Sequence, residues 1–415
     1  MSAETPVATS ETDIETEATG LAALPRVAMD NLRSGNLGSW PVVIGLAIIV
    51  IFFGFKANGF FTANNFENIV TQMAGTTMLA FGVVFVLLLG EIDLSIGYLS
   101  GVSAIIVAEL QLPGSGHQLP GLLAIAIAVL VCAGIGGVQG SIVALVGVPS
   151  FVVTLAGLLI WQGVILQVLE QRGSINIQDK YINDTTTYFF STGPGWIIAG
   201  IITAVFAGGT LAGIVSKRRA GVAVKNPGLV VAKVMAVAGI SFGVAAISNH
   251  ARVPHGLPLA GLLVIVFFLA LTFLATRTVF GRHVYAVGGS AEAARRAGIS
   301  VPRIRILVFM ISGAMSGVGG VVFAARLNSV DLNVGGGTLL LDAIAAAVIG
   351  GTSLFGGRGS VRSGLVGAIV IVTIGNGLNT AGYSTGIQYI VTGAILLLAV
   401  TLDTFARRLQ AKSGR

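Results

Sequence analysis

Glu91 and Asp93 stand two residues apart in GEIDLSIG (90–97), with an uncharged run over 70–90 before them and YLSGVSAIIVA directly after. Two carboxylates between apolar segments can serve one of three ends. Asp93 can accept the free N–H groups of Ser95 and Ile96, capping and hinging the next helix. Glu91 and Asp93 can instead line a pathway and bind or gate solute hydroxyls, or they can carry protons. An unpartnered Asp at mid-membrane costs ~2.5–3.5 kcal/mol on insertion scales, so partners or a cavity are required. Further polar side chains within apolar runs are candidates for the same path: Gln139, Ser150, Thr154, Gln162, Asn376 and Asn379. The last two are three residues apart and so share a helical face. Each also has a plainer use as hydrogen-bonding glue between helices. Arg326 and Asp342 flank the glycine-rich DLNVGGGTLLLD and are placed to pair with each other.

Other chemistries find no support. His117, His250, His255 and His283 are scattered without metal-ligand spacing, and the single Cys132 lies in an apolar run, which excludes an intrachain disulfide and a cysteine-rich metal site. No nucleophile–base motif is visible, so no catalytic residue is assigned. The chain also lacks G-x-x-x-x-G-K-[ST]; GGTSLFGGRG (350–359) is rich in glycine but has no Lys-Ser/Thr pair, and reads as helix packing plus a tight turn.

The elements that must carry these residues follow from composition. The 415 residues are 54% hydrophobic and 10% charged, less than half the ~25% charge of a soluble domain. Mean hydropathy is +0.91. This is an all-α polytopic membrane protein of about ten to twelve transmembrane helices. Apolar segments fall near 40–57, 68–90, 94–110, 120–146, 150–169, 196–215, 229–248, 257–276, 304–325, 338–355, 361–379 and 384–403. Segments 94–110 and 338–355 are short and interrupted by glycine, and are expected to be broken or re-entrant. The 58 glycines, with no fixed period, suit close helix approach.

Alternating the segments from a cytoplasmic N-terminus leaves 18 Lys and Arg in inner loops and tails against five outside, an asymmetry that fits the positive-inside rule. Both termini are then cytoplasmic. The net charge of +7 concerns orientation, and a nucleic-acid partner has no basic soluble face to bind. Residues 1–35, acidic before any apolar run, are expected to be a disordered cytoplasmic tail; 36–405 form the membrane domain, and 406–415 a cytoplasmic tail.

The basic inner loop at 277–305, RTVFGRHVYAVGGSAEAARRAGISVPRIR, holds a short helix: Ser290 suits the N-cap, AEAARRA is strongly helix-forming, Gly298 suits the C′ position and Pro302 stops continuation. Six arginines in it can fix topology and touch anionic lipid, but small residues on one face of a preformed helix suit docking into a groove on another protein. EAARRAG, with Glu292, Ala293, Ala294 and Gly298, resembles the EAA coupling loop of ABC-importer permeases. The flanking GRHVYAVGGSAEAARRAGI is more similar still to the monosaccharide branch serving ribose and xylose. GEIDLSIG, VPSFVVTLAG (148–157), LDAIAAAVIGGTSLFGGRGS (341–360), NGLN (376–379) and LLLAVTLD agree with that branch in the same order. Two additional spans over 197–250, around SKRRAGVAVK, resemble the xylose type and point to a pentose.

That resemblance implies an inner-membrane permease subunit of a bacterial importer that binds no cofactor itself, with ATP and Mg at a separate ATPase. Ser290, Glu292, Ala293, Ala294, Arg295, Arg296 and Gly298 would couple to that ATPase. It further implies a second permease copy and a periplasmic or lipid-anchored sugar-binding protein as partners, in a membrane-lipid setting. The alternative is a proton-coupled secondary sugar transporter using Glu91 and Asp93, which leaves the EAA-like helix without a use.

Overall fold

The computed structural model describes residues 40–112, 116, 118–221, 227–251 and 256–412. The expected N-terminal tail, His117 and His255 lie outside them. Two compact units are distinguished, one containing 196–243 and the other 38–195 with 244–415.

In chain order the helices are α1 (Trp40–Lys56), α2 (Ala63–Leu88), α3 (Ile96–Leu110), α4 (Gly121–Ser141, closed by a wider turn at Ile142–Val146), α5 (Ser150–Leu169), α6 (Lys180–Thr187), α7 (Thr192–Arg219), α8 (Pro227–Ser248), α9 (Leu259–Arg277), α10 (Val279–Gly289), α11 (Ala291–Arg296), α12 (Val301–Leu327), α13 (Leu339–Ile349), α14 (Val361–Thr380) and α15 (Thr385–Lys412). Among the described residues eight helices are long and apolar enough to cross a bilayer, including α7 and α8, which cover most of the stretch expected to hold the added spans. The protein is an all-α polytopic membrane protein.

In the smaller unit Trp196 stacks on Phe242 with ring centroids 6.0 Å apart, tying α7 to α8. Both helices are apolar on all sides over their spans, as befits helices whose solvent is lipid.

The larger unit is built on α2 and α12. Met78, Leu79, Phe81, Phe85, Leu87 and Leu88 of α2 are fully buried, so this helix, ~39 Å long at 1.5 Å per residue, forms the core of the unit. Helix α12 crosses α4 backbone to backbone. A Cβ on Gly313 would fall on the Cys132 carbonyl, and one on Gly136 on that of Phe309. In lipid, where hydrophobic burial adds little, this close packing holds helices together. Two short antiparallel pairs tie connecting segments. β1 (Ser174–Asn176) joins β4 (Ser329–Asp331) with Ile175 opposite Val330, and β2 (Phe189–Phe190) joins β3 (Leu257–Pro258).

The two segments expected to be broken are the short ones. Helix α3, with 15 residues, extends ~22 Å and α13, with 11, ~16 Å, against the ~30 Å of hydrocarbon. Where 338–355 was expected to continue as a segment, α13 stops at Ile349 because Gly350 and Gly351 follow, the latter at φ +106°. Helix α15 continues through Ala406–Lys412, into the stretch expected as a tail, since ARRLQAK is all good helix former.

Gly313→Val should destabilise the chain by about 1–3 kcal/mol or more through overpacking at the α4–α12 crossing. Gly134→Ala, on the open side of α4, should leave it unchanged or slightly more stable. Thermal unfolding midpoints in detergent measure both.

Candidate functional site

Helix α11 is built from its caps inward. Ser290 is extended (φ −162°) and its Oγ accepts the Ala293 N–H at 3.2 Å. At the other end Gly298 takes φ +83°, and its N–H donates to the Arg295 carbonyl while the Ile299 N–H donates to that of Ala294, both at 3.0 Å. This double return is the Schellman closure that favours glycine at C′. Ala294 is buried, and Ala291 and Ile299 pack on the main core, so one side of the helix is anchored. Glu292, Ala293, Arg295, Arg296 and Gly298 face outward, with Glu292 paired to Arg295 and, at 3.1 Å, to Arg296. Pro302 does more than stop α11: it lies in the first turn of α12.

Helix α10, which the sequence reading missed, supports this loop. Thr278 accepts the Gly281 N–H at 3.1 Å to start it, and Val284 and Val287, three residues apart, bury its inner face. That Thr start and apolar spacing were the available signal. The Tyr285 hydroxyl donates to the Gly359 carbonyl at 3.0 Å, and burial raises its pKa, which keeps the donor protonated. The glycine-rich 350–359 stretch is thus a turn wedged against the loop. Gly357 N–H donates to the Leu88 carbonyl at 2.9 Å, and Gly356 lies against the backbone of both Gly288 and Gly90.

From this junction the chain breaks. Gly90 adopts φ +77°, residues 91–93 are non-helical, and α3 starts at Ile96. Glu91 lies 3.0 Å from Arg305 Nε in the first turns of α12. The Nε–H does not point at the carboxylate, so this is an ion pair rather than a directed hydrogen bond.

Asp93 is buried and fully engaged. Its Oδ1 accepts the Ser95 N–H at 3.0 Å and the Ser95 hydroxyl at 2.7 Å, and its Oδ2 accepts the Ser312 hydroxyl of α12 at 2.7 Å. Ser95, not Asp93, occupies the N-cap position of α3. Hydrogen bonds to a charged group are worth roughly 1.5–3 kcal/mol each, so these three offset part of the cost of burying the carboxyl. Gln139 of α4 lies 3.1 Å from Ser95 Oγ. The near atom is Gln139 Oε1, an acceptor that shares the one Ser95 hydroxyl proton with Asp93, and Gln139 Nε2 has no hydrogen-bond partner among the described residues. On α5, Ser150 Oγ accepts the Ile92 N–H at 3.2 Å and the Thr154 hydroxyl lies 3.2 Å from the Ile92 carbonyl. Ser316 of α12 donates to the Ile96 carbonyl at 2.7 Å.

The structure therefore gathers Asp93, Gln139, Ser150 and Thr154 around one break, with Glu91 at its edge. It does not bring the other candidates there. Gln162 is half-buried further along α5, and on α14 Asn376 is buried while Asn379 is exposed. Arg326 and Asp342 do not pair among the described residues: Asp342 accepts the Thr338 hydroxyl at 2.8 Å within its own first turn. The Ser95 hydroxyl, Ser312, Ser316 and Arg305 belong to the site and were missed. The repeat Ser312-Gly313 and Ser316-Gly317, four apart, marked a close polar interface.

The model for "Branched-chain amino acid transport system / permease component" matches residues 65–400. The xylose transport system permease protein XylH of Escherichia coli is 36% identical over 382 residues, covering 91% of this chain and 94% of its own. XylH of Haemophilus influenzae is 36% identical over 384 residues, covering 91% and 98%. The ribose import permease protein RbsC of Escherichia coli is 30% identical over 361 residues, covering 87% and 92%. No solved structure matches.

Asp93→Asn should be milder than Asp93→Ala, because the amide oxygen still accepts from Ser95 while the Ser312 hydroxyl can turn to meet the amide nitrogen. The alanine strands three donors, the Ser95 N–H and hydroxyl and the Ser312 hydroxyl, at about 1–3 kcal/mol each. Adding Ser312→Ala to Asp93→Ala should restore part of that loss. Unfolding midpoints of the four chains measure this; equal losses for Asn and Ala would point to a role for the charge itself.

Proposed function

This chain belongs to the branched-chain amino acid transport system / permease component family, and from that premise we propose that it is the membrane-spanning permease subunit of an ATP-driven importer of a monosaccharide, with a pentose such as xylose favoured. The names of its relatives support the sugar. The observation that carries the reading is α11: a doubly capped helix, anchored by Ala294, that offers Glu292, Ala293, Arg295 and Arg296 to a partner. A carrier powered by itself has no use for it.

The partners follow. A separate ATPase binds ATP and Mg and receives α11 in a cleft; a second permease copy completes the path; a periplasmic or lipid-anchored protein delivers the sugar. The chain sits in the inner membrane with both termini cytoplasmic. Closure of the ATPase moves α11 with α10 and α12, which adjoin it. Arg305 on Glu91, and Gly357 on Leu88, pass that displacement to the break at 90–95. The Asp93 group then acts as the two-state element, holding 91–96 against α4, α5 and α12 in one state and releasing it in the other. The proton-coupled alternative fits less well, since Glu91 faces an arginine and both Asp93 oxygens are occupied.

Gly298→Pro is incompatible with φ +83° and removes the N–H that closes α11. Glu292→Arg replaces two ion pairs with like charges. In proteoliposomes holding the chain with its ATPase and binding protein, each should lower ATP-driven D-xylose uptake at least tenfold with the chain still inserted. Unchanged uptake in both would contradict the docking assignment.

A further inference from the structure

At the end of α2 remote from the coupling loop, Asn64, Glu67, Asn68 and Thr71 recur at intervals of three and four and form a polar stripe on one face. Leu88, against the coupling loop, lies ~31 Å along the helix from Glu67. The stripe borders a pocket of about 370 Å³, completed by Thr186 and Thr187 at the end of α6, Phe189, and Arg326 in the last turn of α12. Pockets for small ligands run from roughly 300 to 1,000 Å³, so this one suits a compact solute.

Its wall holds an unmet demand. Glu67 is 1% exposed, and neither carboxylate oxygen has a hydrogen-bond partner among the described residues. Arg326 borders the same pocket but is beyond ion-pair distance, since no ion pair joins the two among the described residues. A buried carboxylate without donors is costly, and a ligand, ion or water that supplies the donors removes that cost. The neighbours narrow the ligand. Amides and hydroxyls both donate and accept, as the hydroxyls of a polyol do in return, and a carboxylate accepts two vicinal hydroxyl protons at once. Phe189 adds an apolar face for the C–H side of such a ring.

We propose that this pocket, on the face opposite the coupling helix, is a binding site for a neutral polyhydroxylated solute of monosaccharide size, with Glu67 accepting two of its hydroxyl protons. The choice of a sugar rests on the importer reading above. The pocket would be where a delivered sugar first meets the permease, before it reaches the break at 90–95.

The test uses the full chain in lipid nanodiscs, titrated with D-xylose and followed by saturation-transfer NMR. Millimolar binding is expected, weakened at least tenfold by Glu67→Gln and by Asn68→Ala, the second on the exposed rim where folding is not at stake. The same variants in the complete importer should lower D-xylose uptake while leaving the stimulation of ATP hydrolysis by the binding protein intact. No binding to the wild-type chain, or binding unchanged in both variants, overturns the site whether or not the importer works. Stimulation lost with sugar binding intact overturns it too, and assigns Glu67 to a partner's side chain. Binding that depends on Glu67 in a chain that supports no ATP-driven uptake would uphold the site and overturn the importer.

Discussion

Hydrocarbon offers no water, so a chain that stops being helical inside the membrane must satisfy its backbone and its charges from its own neighbours. Burial within the protein imposes the same demand on the stretch 90–95, where the chain leaves the helix and Asp93 is buried. The peptide groups of Ile92 are met by Ser150 and Thr154, and the carboxylate of Asp93 by Ser95 and Ser312. Helices α5 and α12 are thereby fastened to one break, α5 by two hydroxyls and α12 by one, and with Ser95 they meet the polar groups that the break buries.

The same break is tied to the loop that carries α11. The ties differ in kind: an ion pair between Glu91 and Arg305, a backbone hydrogen bond from Gly357 to Leu88, and a glycine contact surface at Gly90, Gly288 and Gly356. Glycine matters here for closeness, since a side chain on Gly288 would fall on the Leu88 carbonyl. Three segments distant in sequence thus meet backbone to backbone, and a shift in any one is felt by the other two. Such contact is stiff, and a packed junction of this type changes by switching between arrangements rather than by bending.

Much of this was legible before the fold was known. Apolar runs bounded by charge or glycine gave the helices, and 150–169 coincides with α5. Polar residues stranded in those runs, Gln139, Ser150 and Thr154, are conspicuous, and they do converge. The capped AEAARR helix could be placed because its caps are local. What escaped notice has a physical reason. Ser312 and Ser316 look like the small residues used for packing, and only the fold shows their hydroxyls turned on Asp93 and Ile96. Arg305 reads as one of several topology-setting arginines until Glu91 is found beside it. The expected Arg326–Asp342 pair failed because Thr338, one turn away, satisfies Asp342 locally, and Glu67 drew no attention because its lack of partners is a tertiary fact.

The central claim, that α11 delivers the work of an ATPase to this membrane domain, is open to one direct measurement. Cys132 is the only cysteine and is buried, so Ala293→Cys places a single reactive thiol on the outward face of α11. With a short photocrosslinker attached there, illumination of native membranes should join the chain to a protein bearing P-loop ATPase motifs, in a yield that changes with bound nucleotide. A chain that yields no such adduct, purifies alone, and moves sugar into liposomes on a proton gradient would contradict the account.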